Sequence, residues 1–311
     1  MGIVVGICET IREKCIAERL IVVYNLNVKK IAIIGLGLIG GSLALAFKKA
    51  GFYIIGIPHR QETLEKAKQS GAIDEGSLDL KGIADADFIF ICTPISQIIN
   101  ELKLLVQNLK QGAIVTDVGS TKYEIVSQAE KIMPKGTFFV GGHPMAGKEK
   151  VKFDAAEADL FSGKTFILTR SSKTSKKALD SLHDLVAQLQ CKVLILDSKT
   201  HDLVVAGISH VPLAVSAALA SSIADSPEAE LMKKTASSGF IDSTRIASGD
   251  PDLGVDMFMT NKKSVLKSMK LFKKALTNLE SLIKQGNAED IKRYLQKAKD
   301  LRDSIIIGLK T

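Results

Sequence analysis

The chain contains no tryptophan, and aromatic residues make up only 5% of it. Proteins that grip single-stranded nucleic acid stack its bases on aromatic side chains, so this composition argues against that class. Cysteine is also scarce: Cys8, Cys15, Cys92 and Cys191 are the whole set. Their spacing gives neither metal-ligand pairs nor a disulfide framework. No metal site is therefore expected, and a reducing, cytoplasmic setting is. Cys92 ends an apolar run and reads as a buried thiol. A secretory leader is not evident, because the apolar patch at 3–8 is short and Glu9, Arg12, Glu13 and Lys14 follow it.

What is present is a soluble globular composition, with 46% hydrophobic and 24% charged residues. A length of 311 residues corresponds to about two domains. The net charge of +8 attracts anions, from nucleic acid to small phosphorylated or carboxylated ligands. The lysines are scattered, as in Lys262, Lys263, Lys267, Lys270, Lys273 and Lys274, with no dense basic block. That pattern fits a solvated helix face and a small anionic ligand better than nucleic acid. The stretch 203–224 carries no Lys, Arg, Asp or Glu and is long enough to span a bilayer. It also holds His210, Pro212 and many Ser and Ala residues. It reads as a helix buried in a helical domain or subunit interface, with a lipid-facing helix as the competing reading.

Residues 1–28 precede the first clear strand and receive no function. From Lys29 the pattern alternates strand and helix. Strands are expected at 31–34, 53–57, 87–92, 113–117, 137–140, 165–169 and 192–196, and helices at 42–50, 62–70 and 175–190. A further helix starts at Thr93-Pro94, with threonine expected as its N-cap and proline in its first turn. Together these elements predict an α/β fold: a Rossmann-type, doubly wound, mostly parallel sheet over 29–197. After Asp197 the pattern is helical throughout, which predicts an all-helical domain over 198–311.

Gly35-Leu36-Gly37-Leu38-Ile39-Gly40 fits G-x-G-x-x-G, preceded by a buried strand and followed by a helix. The first glycine permits the tight turn, the second admits a pyrophosphate to the backbone, and Gly40 permits close packing of helix on strand. Unpaired N–H groups of Leu38 and Ile39 at the helix N-terminus suit phosphate. A dinucleotide is expected here. The second strand ends in Ile57-Pro58-His59-Arg60 with no acid to hold a ribose hydroxyl. Arg60 and His59 would attract a 2′-phosphate, which favours NADP, with NAD possible. The competing reading has Arg60 stacked on adenine or facing solvent.

Asp117-Val118-Gly119-Ser120 and Gly141-Gly142-His143-Pro144-Met145-Ala146-Gly147 each follow a strand. Both are expected as loops at the carboxyl edge of the sheet, where ligands bind. A histidine between glycines, stiffened by proline, suits a fixed general base.

At these residues the sequence resembles the prephenate/arogenate dehydrogenase family of tyrosine biosynthesis. The resemblance covers roughly 30–285. It is carried by the glycine turn, Cys92-Thr93-Pro94, Thr116-Asp117-Val118-Gly119-Ser120, the His143 segment, Ile208-Ser209-His210-Val211-Pro212 and Ser238-Gly239-Phe240-Ile241-Asp242-Ser243-Thr244-Arg245. It implies oxidative decarboxylation of a cyclohexadienol, with hydride passing to nicotinamide and the ring aromatising. By the same resemblance His143 is the catalytic histidine, neutral in order to accept a proton. Ser120 is the serine that orients the pair of His143 and the substrate hydroxyl, and Arg245 grips a substrate carboxylate. His210 matches a second histidine near the substrate, with a satisfied core histidine as an equal alternative. Thr93, Pro94 and Asp117 are expected along the cofactor, a capping or structural role competing at Thr93 and Asp117. The helical domain is implied to form a homodimer.

Three positions depart from the family pattern. Lys148 stands where threonine is common, Leu213 where some prephenate-specific members have histidine, and Ile241 where a basic residue is frequent. A missing cation at Ile241 weakens the case for a second substrate carboxylate. With Arg60, it tilts the expectation toward arogenate and NADP. The alternatives are a prephenate dehydrogenase giving 4-hydroxyphenylpyruvate with NAD or NADP, another two-domain reductase, and a non-catalytic NADP-binding protein.

Overall fold

The computed structural model describes residues 29–148 and 152–310. The segment 1–28, with Cys8 and Cys15, lies outside the described residues. The described part forms two compact units, one comprising the chain up to Asp202 together with Ser248–Thr260, the other Leu203–Ala247 with the chain from Asn261 onward.

The first unit alternates strand and helix: β1 (Lys30–Ile34), α1 (Leu38–Lys49), β2 (Tyr53–Ile57), α2 (Gln61–Gln69), β3 (Glu75–Gly76), β4 (Phe88–Ile91), α3 (Ile95–Leu105), β5 (Ile114–Asp117), α4 (Tyr123–Ile132) and β6 (Phe138–Phe139). Six strands pair in the order β3-β2-β1-β4-β5-β6, all parallel. β1 lies between β2 and β4, and Ile31, Ala32 and Ile33 have no exposed surface. A run apolar on both faces is what a strand covered on both sides by helices requires. The order reverses between β1 and β4, so the carboxyl ends of these strands frame the crevice where such folds bind ligands. Backbone hydrogen bonds fix that edge: Gly35 N–H donates to Ile57 O at 2.9 Å and Cys92 N–H to Ile34 O at 2.7 Å.

Four expectations are corrected. The strands do not form a single sheet: β7 (Gly141–Pro144), β8 (Thr165–Arg170) and β9 (Lys192–Asp197) make a second one, with β7 antiparallel to β8. The His143 segment is therefore a strand rather than a loop. Its glycines explain why: a Cβ on Gly142 would stand 2.6 Å from Asp117 O, and one on Gly141 2.4 Å from Thr169 Oγ1. Only a strand bare of side chains there can run against the end of β5. At α3 the N-cap is Pro94, not Thr93, and the Thr93 hydroxyl does not cap this helix. The first helix also begins earlier than Ser42, so Gly40 and Gly41 lie inside its first turns.

After α5 (Lys176–Ala187) and β9 the chain enters a long helix. It runs through α6 (Ser198–Val205), a π-turn at Ala206–His210 and α7 (Val211–Ala224). Pro212 has no N–H to offer the carbonyl four residues back, and the turn before it widens accordingly. Short α8 (Ala229–Thr235) and α9 (Ser238–Thr244) follow, then α10 (Pro251–Thr260), which belongs with the sheets, and the long α11 (Lys262–Gln285) and α12 (Ala288–Lys310). Gly286 ends α11 in the left-handed region at φ 70°, its N–H meeting Leu282 O at 3.2 Å and Ile283 O at 3.1 Å.

Ser198–Ala224 is long and apolar enough to cross a membrane, but in a single chain only 28% of its most apolar window is buried. The expected burial of 203–224 is thus not met within one chain. Ile208, Leu203 and Leu219 stay exposed, as do Leu266, Leu271 and Leu276 on α11.

Candidate active site

The glycine turn is built as its motif requires. Gly35 has φ +87°, and a Cβ there would lie 2.8 Å from Cys92 O. A Cβ on Gly40 would fall 2.0 Å from Gly35 O. Gly37 is the N-cap of α1 in extended conformation, with no side-chain cap on the helix N-terminus. Leu38 and Ile39 therefore begin a helix whose first N–H groups are free of a capping side chain, which fits a pyrophosphate. Across the switch point, the Thr93 hydroxyl is buried without a hydrogen-bond partner among the described residues, beside Pro94 at the start of α3. A buried hydroxyl left over is the kind of group a bound polar ligand satisfies. These residues fit a dinucleotide.

His59 and Arg60 are exposed beyond β2. The sequence shows no acid at this strand end, but the fold brings one from α3: Glu101 Oε1 lies 3.9 Å from His59 Nε2.

His143 is on β7 and only 7% exposed. Its Nδ1 is 2.9 Å from Nε2 of His201, and His201 Nδ1 is 2.8 Å from Oδ1 of Asp202. Asp202 in turn sits on the N-terminus of α4, accepting from the N–H of Lys122 at 2.7 Å and of Tyr123 at 3.0 Å. The carboxylate thus satisfies two orphan helix donors and lies at the positive end of the helix dipole. Burial pushes the His201 pKa below its ordinary value, and the nearby Lys122 charge adds to this against the pull of Asp202 and Asp117. A neutral His201 follows.

Beneath this chain lies a second network. Asp117, Lys122 and their ion pair are fully enclosed. The Asp117 carboxylate also accepts from Gly119 N–H at 2.9 Å and Gly142 N–H at 3.3 Å. The Asp117 side chain has no exposed surface, and these contacts match the structural role that competes with its expected place along the dinucleotide. Ser120, in the loop between β5 and α4, is half-buried and its hydroxyl has no partner among the described residues. Burial and Asp117 raise the Cys92 thiol far above its usual range, so it is inert at neutral pH.

The sequence does not single out His201, Asp202 or Lys122, which the fold links to His143 in one network. The one signal was an adjacent His and Asp heading a long apolar helix. The remaining expected residues lie in the helical unit. His210 is buried in the π-turn with Nδ1 3.4 Å from Asn261 Nδ2, and Arg245 is exposed at the turn Arg245–Ser248.

A glycine turn at a topological switch point, feeding a helix N-terminus, defines a dinucleotide-binding α/β protein. Comparison with known proteins narrows this. Residues 43–195 match the family model "Prephenate dehydrogenase, nucleotide-binding domain", and 197–297 match "Prephenate dehydrogenase, dimerization domain". A prephenate dehydrogenase of Bacillus subtilis is 36% identical over 285 residues, 90% of this chain and 77% of that protein. The arogenate dehydrogenase of Synechocystis superposes with a TM-score of 0.80 at 37% identity, over 89% of this chain and 99% of that one. The prephenate dehydrogenase of A. aeolicus, solved with hydroxyphenyl propionate and NAD+, superposes with a TM-score of 0.84 at 35% identity, over 90% and 99%. The chain belongs to the prephenate dehydrogenase family and is a dehydrogenase, an oxidoreductase.

Proposed function

We propose that the protein converts arogenate to tyrosine by NADP-dependent oxidative decarboxylation, as a homodimer in the cytoplasm. When bound, the nicotinamide supplies a hydride acceptor. The neutral His143 ring takes the proton of the substrate hydroxyl as hydride leaves the carbinol carbon. The bond from ring to carboxylate then breaks, carbon dioxide departs, and its electron pair completes the aromatic ring. The proton held on His143 returns to the phenolic oxygen. The observation that carries this reading is the buried His143, its Nδ1 facing His201 and its strand free, through its glycines, to run against the end of β5.

Ser120, with its leftover hydroxyl, orients the reacting oxygen. Arg245 is the carboxylate grip, and His210 stands on the substrate side. Gly35, Gly37, Leu38, Ile39 and Gly40 hold the pyrophosphate, with Thr93 and Pro94 opposite. His59 and Arg60 meet the 2′-phosphate. The absence of a cation at exposed Ile241 supports arogenate, whose side chain carries a cationic amino group where prephenate carries a keto group, the carboxylate being common to both. A second copy covers the apolar faces of the long helix and α11, in keeping with the match of 197–297 to a dimerization domain.

A second reading is a prephenate dehydrogenase using NAD. It is favoured by Glu101 beside His59, since a carboxylate at this edge repels a 2′-phosphate, and by the NAD+ in the A. aeolicus protein. Absorbance assays of NADP and NAD reduction, with arogenate and prephenate in parallel, separate the two. Faster turnover of arogenate with NADP is expected. Faster turnover of prephenate with NAD overturns the substrate and cofactor choice while keeping the catalytic residues.

A further inference from the structure

We infer that His201, anchored by Asp202, is a positioning residue that fixes which nitrogen of His143 carries the proton. The inference rests on the reading of His143 as the base and deepens it. A carboxylate is acceptor-only when ionised. Asp202 Oδ1 already accepts from Lys122 N–H and faces His201 Nδ1 at 2.8 Å. His201 Nδ1 must therefore carry a hydrogen and donate it. In a neutral ring the other nitrogen is then an acceptor. That nitrogen, Nε2, faces His143 Nδ1 at 2.9 Å, so His143 Nδ1 must be the donor. His143 Nε2 then carries the lone pair and is the acceptor of its ring.

The polarity of the chain thus runs from a helix N-terminus to the base. The N–H groups of Lys122 and Tyr123 hold Asp202, Asp202 sets His201, and His201 sets His143. The charged groups around His201 are Asp202, Lys122 and Asp117. The two rings meet edge-on, 66° apart with centroids at 5.1 Å, so each ring's tilt is fixed by the other. A free imidazole in water prefers the proton on Nε2, the tautomer in which His143 could not act as a base through that atom. The relay imposes the opposite choice. Proton placement through an oriented histidine–carboxylate pair is worth several powers of ten in other enzymes.

Nitrogen-15 correlation NMR of the histidine side chains reads the tautomer directly. The wild-type protein is expected to show His143 protonated at Nδ1 and bare at Nε2. Asp202→Asn can present an amide N–H to His201, which reverses the chain and moves the His143 proton to Nε2. His201→Gln keeps an acceptor for His143 and is expected to hold kcat within about tenfold of wild type, whereas His201→Leu lowers it by about 10²–10⁴-fold. KM and cofactor affinity stay unchanged in both. Should Asp202→Asn or His201→Leu fail to fold, the wild-type tautomer and His201→Gln still decide. A wild-type His143 protonated at Nε2, or His201→Gln and His201→Leu with equal kcat, overturns the inference. Full turnover by His143→Asn overturns the reading of the base instead, and the NMR result tests the relay without it.

Discussion

The Asp117 carboxylate accepts a hydrogen bond from Gly142 N–H at 3.3 Å, so the residue that ends β5 holds the residue that precedes His143. The same carboxylate binds Gly119 N–H and the buried Lys122 ammonium. One side chain therefore ties together a strand end, the loop bearing Ser120 and the strand bearing the base. Such a junction is costly to bury and more costly to break.

Lys122→Met tests that junction. It leaves Asp117 charged and enclosed with only N–H partners, and losing one member of a buried ion pair costs about 3–5 kcal/mol. Urea unfolding is expected to show a loss of that order. In the double variant Asp117→Asn/Lys122→Met no lone charge remains, so its cost should fall short of the sum of the single variants. Strict additivity would mean that the two side chains act independently.

Gly40→Ala probes the dinucleotide turn. The added carbon would meet Gly35 O at 2.0 Å, and a backbone atom cannot rotate away. The first turn of α1 must shift, at an overpacking cost of about 1–3 kcal/mol. Calorimetric titration should show weakened binding of both NADP and NAD, since the pyrophosphate cradle is common to them. Unchanged affinity for both would place the dinucleotide elsewhere.

Arg60→Ala separates the two cofactors. A hydrogen bond to a charged group contributes about 1.5–3 kcal/mol. The KM for NADP should accordingly rise by about 10- to 100-fold at this ratio of energy to affinity, while the KM for NAD moves little. An equal rise for both would assign Arg60 to the adenine or to a shared phosphate. Glu101→Gln, which removes the carboxylate near His59, should shift preference toward NADP.

The sequence alone makes β1, the glycine turn and the following helix legible, because local rules suffice there: an apolar run, then glycines where side chains cannot fit. His143 is legible as a residue but not as a strand. Gly-Gly-His-Pro carries turn residues, and its pairing with β8 is imposed by packing against β5. Thr93 misleads for the opposite reason, because its side chain looks like a cap but the helix starts one residue later. Lys122 in a Gly-Ser-Thr-Lys run looks solvent-facing, and only the fold encloses it with Asp117. His201 and Asp202 carry no periodic signature. Their partners are Lys122, Tyr123 and His143, 58 to 80 positions away.

The enclosed His201 makes stability depend on pH with a definite sign. Burial first, and the Lys122 charge second, lower its pKa below the ordinary imidazole value, which is about 6.5. Between the folded-state value and about 6.5 the unfolded chain binds the extra proton and the native protein does not, so stability rises with pH in that window. His201 thus contributes fully above about pH 6.5, and its contribution is lost as the pH falls toward the folded-state pKa. Below that value both states are protonated and the loss from this group stops. His201→Gln isolates the contribution of the buried ring. Urea unfolding from about pH 7.5 to about pH 5 should show wild type losing more stability than His201→Gln. Parallel loss in the two proteins would mean that His201 takes up its proton equally in the folded and unfolded states, so that enclosure does not hold the ring neutral as the relay to His143 requires.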